Sequence, residues 1–124
     1  MNINVFFKSV LEQDRAPIVL CDLAHNIVYI NPTAAKRYAA AGGTALVGKS
    51  LLNCHNARSR ELIESCLDWF KKDRNNNIVY ESVNETENKD CYIVALRDED
   101  GNLIGYYEKH EYRTRDTGAF YDFP

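Results

Sequence analysis

Apolar residues recur at Ile3, Phe6, Phe7, Val10 and Leu11, with Lys8, Glu12 and Gln13 on the other side. That spacing predicts a short amphipathic helix over residues 2–14. Pro17 ends it, because the residue ahead of a proline is pushed out of the helical region. The pattern then changes to apolar runs: "PIVLCD" reads as a buried strand, "LAHN" as a tight turn and "NIVYI" as a second strand. His25-Asn26 falls where such a turn needs positive φ, which Asn tolerates. His25 is therefore expected at the surface, without a chemical role.

"NPTAAKRYAAAGG" offers Asn31 as an N-cap, Pro32 at the first helical position and two glycines as a stop, and so predicts a short helix. "TALVGKSLLNCHN" is too broken for one regular element and predicts brief turns. From 57 to 73, Leu62, Ile63, Cys66, Leu67, Trp69 and Phe70 mark one face of a helix of about four turns, with Asn56 as its cap. Three strand-like runs follow, "NIVYESVNE", "CYIVALRDE" and "NLIGYYEKHEYRT", the last two joined by a hairpin at Asp98-Glu99-Asp100-Gly101. Five strands with the helices gathered mid-chain predict an α+β fold: an antiparallel sheet covered on one face, preceded by an amphipathic helix. The tail, 114–124, carries three aromatics and is expected to dock on this domain or on a partner.

Composition narrows the function classes. A chain of 124 residues is expected to form a single domain over 1–124. Its net charge of −3 supplies no basic face for nucleic acid. No apolar run approaches the ~20 residues a membrane span needs, and the start lacks the pattern of an export signal. Cys21, Cys54, Cys66 and Cys91 are irregularly spaced and read as buried free thiols in a reducing cytoplasm.

Three motifs in order, "APIVLCDLAHNIVYINPTAAKRY", "LVGKSLL" and "YIVALRDEDGNLIGYYE", resemble a PAS domain, over about residues 10 to 113 with a core at 16–113. "GKSLLNCHN" and "YYEKHEYR" resemble a subgroup of small stand-alone PAS proteins from anaerobic bacteria. The resemblance implies a curved five-stranded sheet enclosing a pocket, and a non-enzymatic sensory or interaction module that binds a small molecule or a signalling protein. No effector domain is visible, so signalling is expected through contact with another chain. A homodimer through Phe6, Phe7 and Val10 is expected. The pocket positions it implies are Tyr29, Tyr38, Leu52, Cys54, His55, Ile63, Leu67 and Tyr92.

Asn53-Cys54-His55-Asn56 is the candidate cofactor stretch. Light-sensing members of the family carry Asn-Cys-Arg-Phe-Leu-Gln near this position; here the arginine, aromatic and glutamine that grip flavin are absent, so flavin is not expected. A neutral imidazole is a good axial ligand, so the alternative is a haem-based gas or redox sensor using His55, although family members generally draw that histidine from the long helix. Zinc is not expected here, since no second ligand pair follows at a useful interval. The plainer reading is that Cys54 packs and His55 bonds to backbone. On the last strand, alternation places Ile104, Tyr106, Glu108, His110 and Tyr112 on one face. Glu108 and His110 could pair as a general base, but no nucleophile completes a site. This charged part is expected to meet solvent, the first helix or a second subunit.

Overall fold

The computed structural model describes residues 1–124. Helix α1 (Ile3–Gln13) leads into the hairpin β1 (Val19–Asp22) and β2 (Ile27–Ile30), followed by the short α2 (Pro32–Arg37). Three 3-10 turns bridge to α3 (Ala57–Lys72), and β3 (Ile78–Asn84), β4 (Lys89–Arg97) and β5 (Leu103–Tyr112) complete the chain. The strands form one antiparallel sheet in the order β2-β1-β5-β4-β3, the α+β architecture that the residue pattern predicts. No helix is long and apolar enough to cross a membrane.

The local chemistry explains the elements. Asn31 caps α2 by accepting from the Ala34 amide at 2.9 Å, with Pro32 in the first turn. Asn56 does the same for α3 through the Ser59 amide at 2.8 Å. Asn31 is fully buried (0% exposed) and has a second task. Its Oδ1 also accepts from the Ile18 amide at 2.9 Å, and its Nδ2 donates to the carbonyls of Leu11 and Ala16, both at 3.0 Å. One side chain thus ties the end of α1, the start of β1 and the start of α2 together.

The far end of α3 is tied by Arg97 of β4. Its guanidinium donates to the carbonyls of Phe70 (2.7 Å) in the last turn, where a helix leaves carbonyls without partners, and of Asp73 (3.2 Å) and Asn76 (3.1 Å) in the loop that follows. In the β4–β5 hairpin Gly101 takes a φ of +85°, a conformation that glycine adopts without a steric cost. Gly105 is required for a different reason: a Cβ there would collide with the Cys21 carbonyl of β1.

The core lies between the sheet and α3, built from Cys21, Ile27, Ile30, Ile63, Leu67, Phe70, Ile93 and Tyr106. Two expectations need correction. His25 has the turn conformation foreseen for it, with φ +68°, yet it is buried (6% exposed) rather than on the surface. The tail aromatics Phe120, Tyr121 and Phe123 stand in solvent rather than on this domain, which leaves a partner as the surface expected for them.

Candidate functional site

Between the concave face of the sheet and α3 lies a cavity of about 360 Å³, within the range of about 300–1,000 Å³ that small-molecule sites occupy. Its floor is Val19, Cys21, Ile27, Ile93 and Tyr106 from the strands. Its roof is Leu62, Ile63 and Cys66 from α3, with Leu51, Cys54 and His55 closing from the preceding 3-10 turn. Tyr38, Glu81, Glu108 and His110 form one polar end. Apart from that end the lining is mostly apolar.

Strand geometry places the polar end. Tyr80 pairs with Tyr92 and Ser82 with Cys91, so Glu81 is the extra residue of a β-bulge and has no partner on β4. A bulge re-aims the side chain it carries, and Glu81 turns toward Glu108. On β5, alternation sets Tyr106, Glu108 and His110 on the same inner face. His110 Nε2 lies 2.9 Å from Glu108 Oε1, and His110 Nδ1 faces Cys91 Sγ at 3.9 Å. Desolvation, then the shared hydrogen bond and negative charge of Glu108, raise the carboxyl of Glu81 above its ordinary range. Glu108 is held low despite the burial that opposes its ionisation, because His110, Glu81 and the charge of Lys89 all favour its anion.

Beside this end, Arg37 donates to both oxygens of Glu87, at 2.8 and 3.0 Å. The buried Lys89 reaches the same carboxylate at 3.2 Å, and its Nζ lies 5.3 Å from the centre of the Tyr112 ring. Both cations are therefore matched outside the cavity, whose own lining includes no Lys or Arg.

The floor connects to the surface by a hydrogen-bonded chain. Tyr106 Oη and His25 Nδ1 stand 2.7 Å apart, and His25 Nε2 lies 2.5 Å from Glu64 Oε1 on α3. A carboxylate only accepts, so Nε2 carries a proton, and in the neutral ring the Tyr106 hydroxyl donates to Nδ1. Burial pushes the Tyr106 phenol upward, keeping it a donor, and raises the Cys21 thiol beside it to about 11.

Of the residues expected at the pocket, Tyr38, Cys54, His55 and Ile63 line the cavity; Tyr29, Leu52, Leu67 and Tyr92 do not. Leu20 pairs with Tyr29 but Cys21 with Ile27, so Val28 is an extra residue that turns Tyr29 outward. Tyr92 alternates with the inward Cys91 and Ile93, and its ring packs on Tyr80 with centroids 5.3 Å apart. Leu52 sits in a 3-10 turn, where residues three apart share a side, so Leu51 and Cys54 face the cavity in its place. Leu67 is buried in the packed core. His55 bonds to backbone, its Nδ1 donating to the Leu51 carbonyl at 2.8 Å, while Cys54 is exposed at the rim. Glu81, Cys21 and Cys66 were not foreseen, and Glu108 and His110, expected to meet solvent, the first helix or a second subunit, line the cavity instead. The β5 alternation that groups Tyr106 with Glu108 and His110 was the available signal.

No family model matches the chain, and no curated protein matches it. Solved structures do. The PAS domain of a protein from Colwellia psychrerythraea superposes with a TM-score of 0.65 at 15% identity, over 91% of this chain and 98% of that one. The chain folds as a PAS domain. Among other solved structures that share the fold, the PAS domain of BvgS from Bordetella pertussis gives 0.60 at 18% identity, covering 92% of this chain and 89% of that one. The Aer2 receptor from Vibrio cholerae, a dual PAS-heme oxygen sensor, gives 0.53 at 18%, covering 76% and 90%. The cavity described above lies within this PAS core.

Proposed function

We propose that this PAS chain is a non-enzymatic sensory module that binds a small molecule between the sheet and α3. The observation that carries the reading is the cavity itself, about 360 Å³ of mostly apolar lining with hydrogen-bonding groups gathered at one end. The ligand that suits it has an apolar body and a neutral or cationic polar head, the head set against Tyr38, Glu81, Glu108 and His110. Haem fits less well. Its propionates call for cations, and the lining offers no Lys or Arg, only the carboxyls of Glu81 and Glu108 beside His110. The same electrostatics oppose the phosphate of a flavin nucleotide.

The test is titration with N-phenyl-1-naphthylamine, an apolar fluorescent probe. The wild-type protein is expected to give a saturable rise in emission, lost in Ile63→Trp, which fills the cavity from α3, and in Ser59→Trp at its rim. Emission unchanged in both folded variants would place the probe elsewhere and defeat the reading.

The output side of the proposal is a homodimer. Helix α1 has no buried residue, and Phe6, Phe7 and Val10 are 55%, 59% and 67% exposed. A second copy of α1 is the occupant proposed for this face, since a self-matching apolar stripe closes a two-fold interface without further partners. Deleting residues 1–14 is expected to give a monomer by light scattering; a persistent dimer would defeat it. Four free thiols suit the reducing cytoplasm in which we place the protein.

A further inference from the structure

We propose that Cys91, Glu108 and His110 form a binding site for a divalent transition metal of the zinc class. Cys91 and His110 are direct partners across β4 and β5, and Glu108 is two residues from His110 on the same face. Register alone therefore converges a thiol, an imidazole and a carboxylate, whose donor atoms lie within 4.8 Å of one another. Cys91 is 4% exposed and the His110 side chain 5%, so this is a built cluster rather than a surface coincidence.

The distances suit the metal. Zinc–sulfur and zinc–nitrogen bonds of about 2.3 and 2.0–2.1 Å put tetrahedral donors about 3.3–3.8 Å apart. Cys91 Sγ and His110 Nδ1, at 3.9 Å, are already close to that. Glu108 completes the set by a side-chain rotation that exchanges its hydrogen bond to Nε2 for a metal–oxygen bond. The Cys91 thiol releases its proton to solvent as it binds. The fourth position is left for water. Thiolate with imidazole and carboxylate favours zinc or cobalt over magnesium and calcium, which take oxygen ligands. An open recess between α2 and β3, bordered by Cys91, Glu108 and His110, supplies the entry path. Lys89, the nearest buried cation, is engaged by Glu87 at 3.2 Å.

The test is titration of the reduced full-length chain with Co²⁺, followed by competition with Zn²⁺. One Co²⁺ per chain is expected to bring a thiolate-to-cobalt charge-transfer band and the visible bands of a four-coordinate ion, all erased by Zn²⁺. Cys91→Ser is expected to lose the charge-transfer band, and His110→Gln to lose at least about tenfold in affinity, as even supporting groups cost 10–100-fold. Cys54→Ser, which removes the exposed thiol beside His55, is expected to leave both unchanged. Absence of the bands in the wild type overturns the site, as does their survival in Cys91→Ser or their loss in Cys54→Ser. If Cys91→Ser does not fold, His110→Gln carries the test alone. The cavity reading is independent, because probe binding is measured without metal.

Discussion

Asn31 makes four hydrogen bonds from a fully buried position, and its replacement should be the most damaging single polar change in the chain. Asn31→Ala removes the cap of α2, at a cost of about 0.5–2 kcal/mol. It also leaves the buried Ile18 amide without an acceptor, about 1–3 kcal/mol, and the Ala16 carbonyl without a donor, while the Leu11 carbonyl keeps only the Asp14 amide at 3.4 Å. Taken together, a loss of about 3–5 kcal/mol is expected, a fall in Tm of about 10–20 °C for a domain of this size. Asn31→Asp separates the contributions. It keeps both acceptor bonds, and so the cap, but turns a carboxylate toward the two carbonyls that Nδ2 served. Hydrogen exchange should then show α1 released while α2 stays protected. Urea unfolding monitored by circular dichroism gives the stability. A loss under about 1 kcal/mol in Asn31→Ala, the size of one ordinary hydrogen bond, would refute the reasoning.

Arg97→Ala should cost about 2–4 kcal/mol, because loss of a charged donor takes a partner from the carbonyls of Phe70 and Asn76, while Asp73 keeps the Asn76 amide at 3.0 Å; chemical denaturation measures it. Glu87 is held down to about 2 by Arg37 and Lys89, from an ordinary value near 4.5. Its folded pKa is depressed, so its stabilisation is full above about 4.5 and disappears as pH falls toward 2. The Tm difference between wild type and Glu87→Gln should therefore be present at neutral pH and close across that interval; a constant difference would contradict it. Among the four thiols, Cys54 should react first with Ellman's reagent, with Cys21 and Cys91 protected until unfolding.

Much of the fold was legible because its signals are local. The Asn31-Pro32 start, the Asn56 cap and the Asp98-Glu99-Asp100-Gly101 hairpin each specify backbone within a few residues, and the elements appear where those signals fall. The site was legible only in part, because its geometry depends on pairing between distant segments. One extra residue at Val28 reverses the face of Tyr29, and another at Glu81 turns an edge-strand carboxyl inward. Neither insertion leaves a mark in the hydrophobic pattern. His25 was misplaced for a related reason: its turn chemistry is local, but Tyr106 and Glu64, which draw the ring inside, are 81 and 39 residues away in sequence. Polarity likewise misled at Glu108 and His110, whose side chains meet each other at 2.9 Å at the cavity wall.

The central claim is that the space beneath α3 is the place where a small molecule binds. Amide chemical-shift mapping of the ¹⁵N-labelled chain with N-phenyl-1-naphthylamine tests it most directly. Saturable shifts concentrated at Cys21, Ile27, Ile63, Ile93 and Tyr106 are expected. Shifts confined to the exposed apolar face of α1, or spread without saturation over the surface, would contradict it.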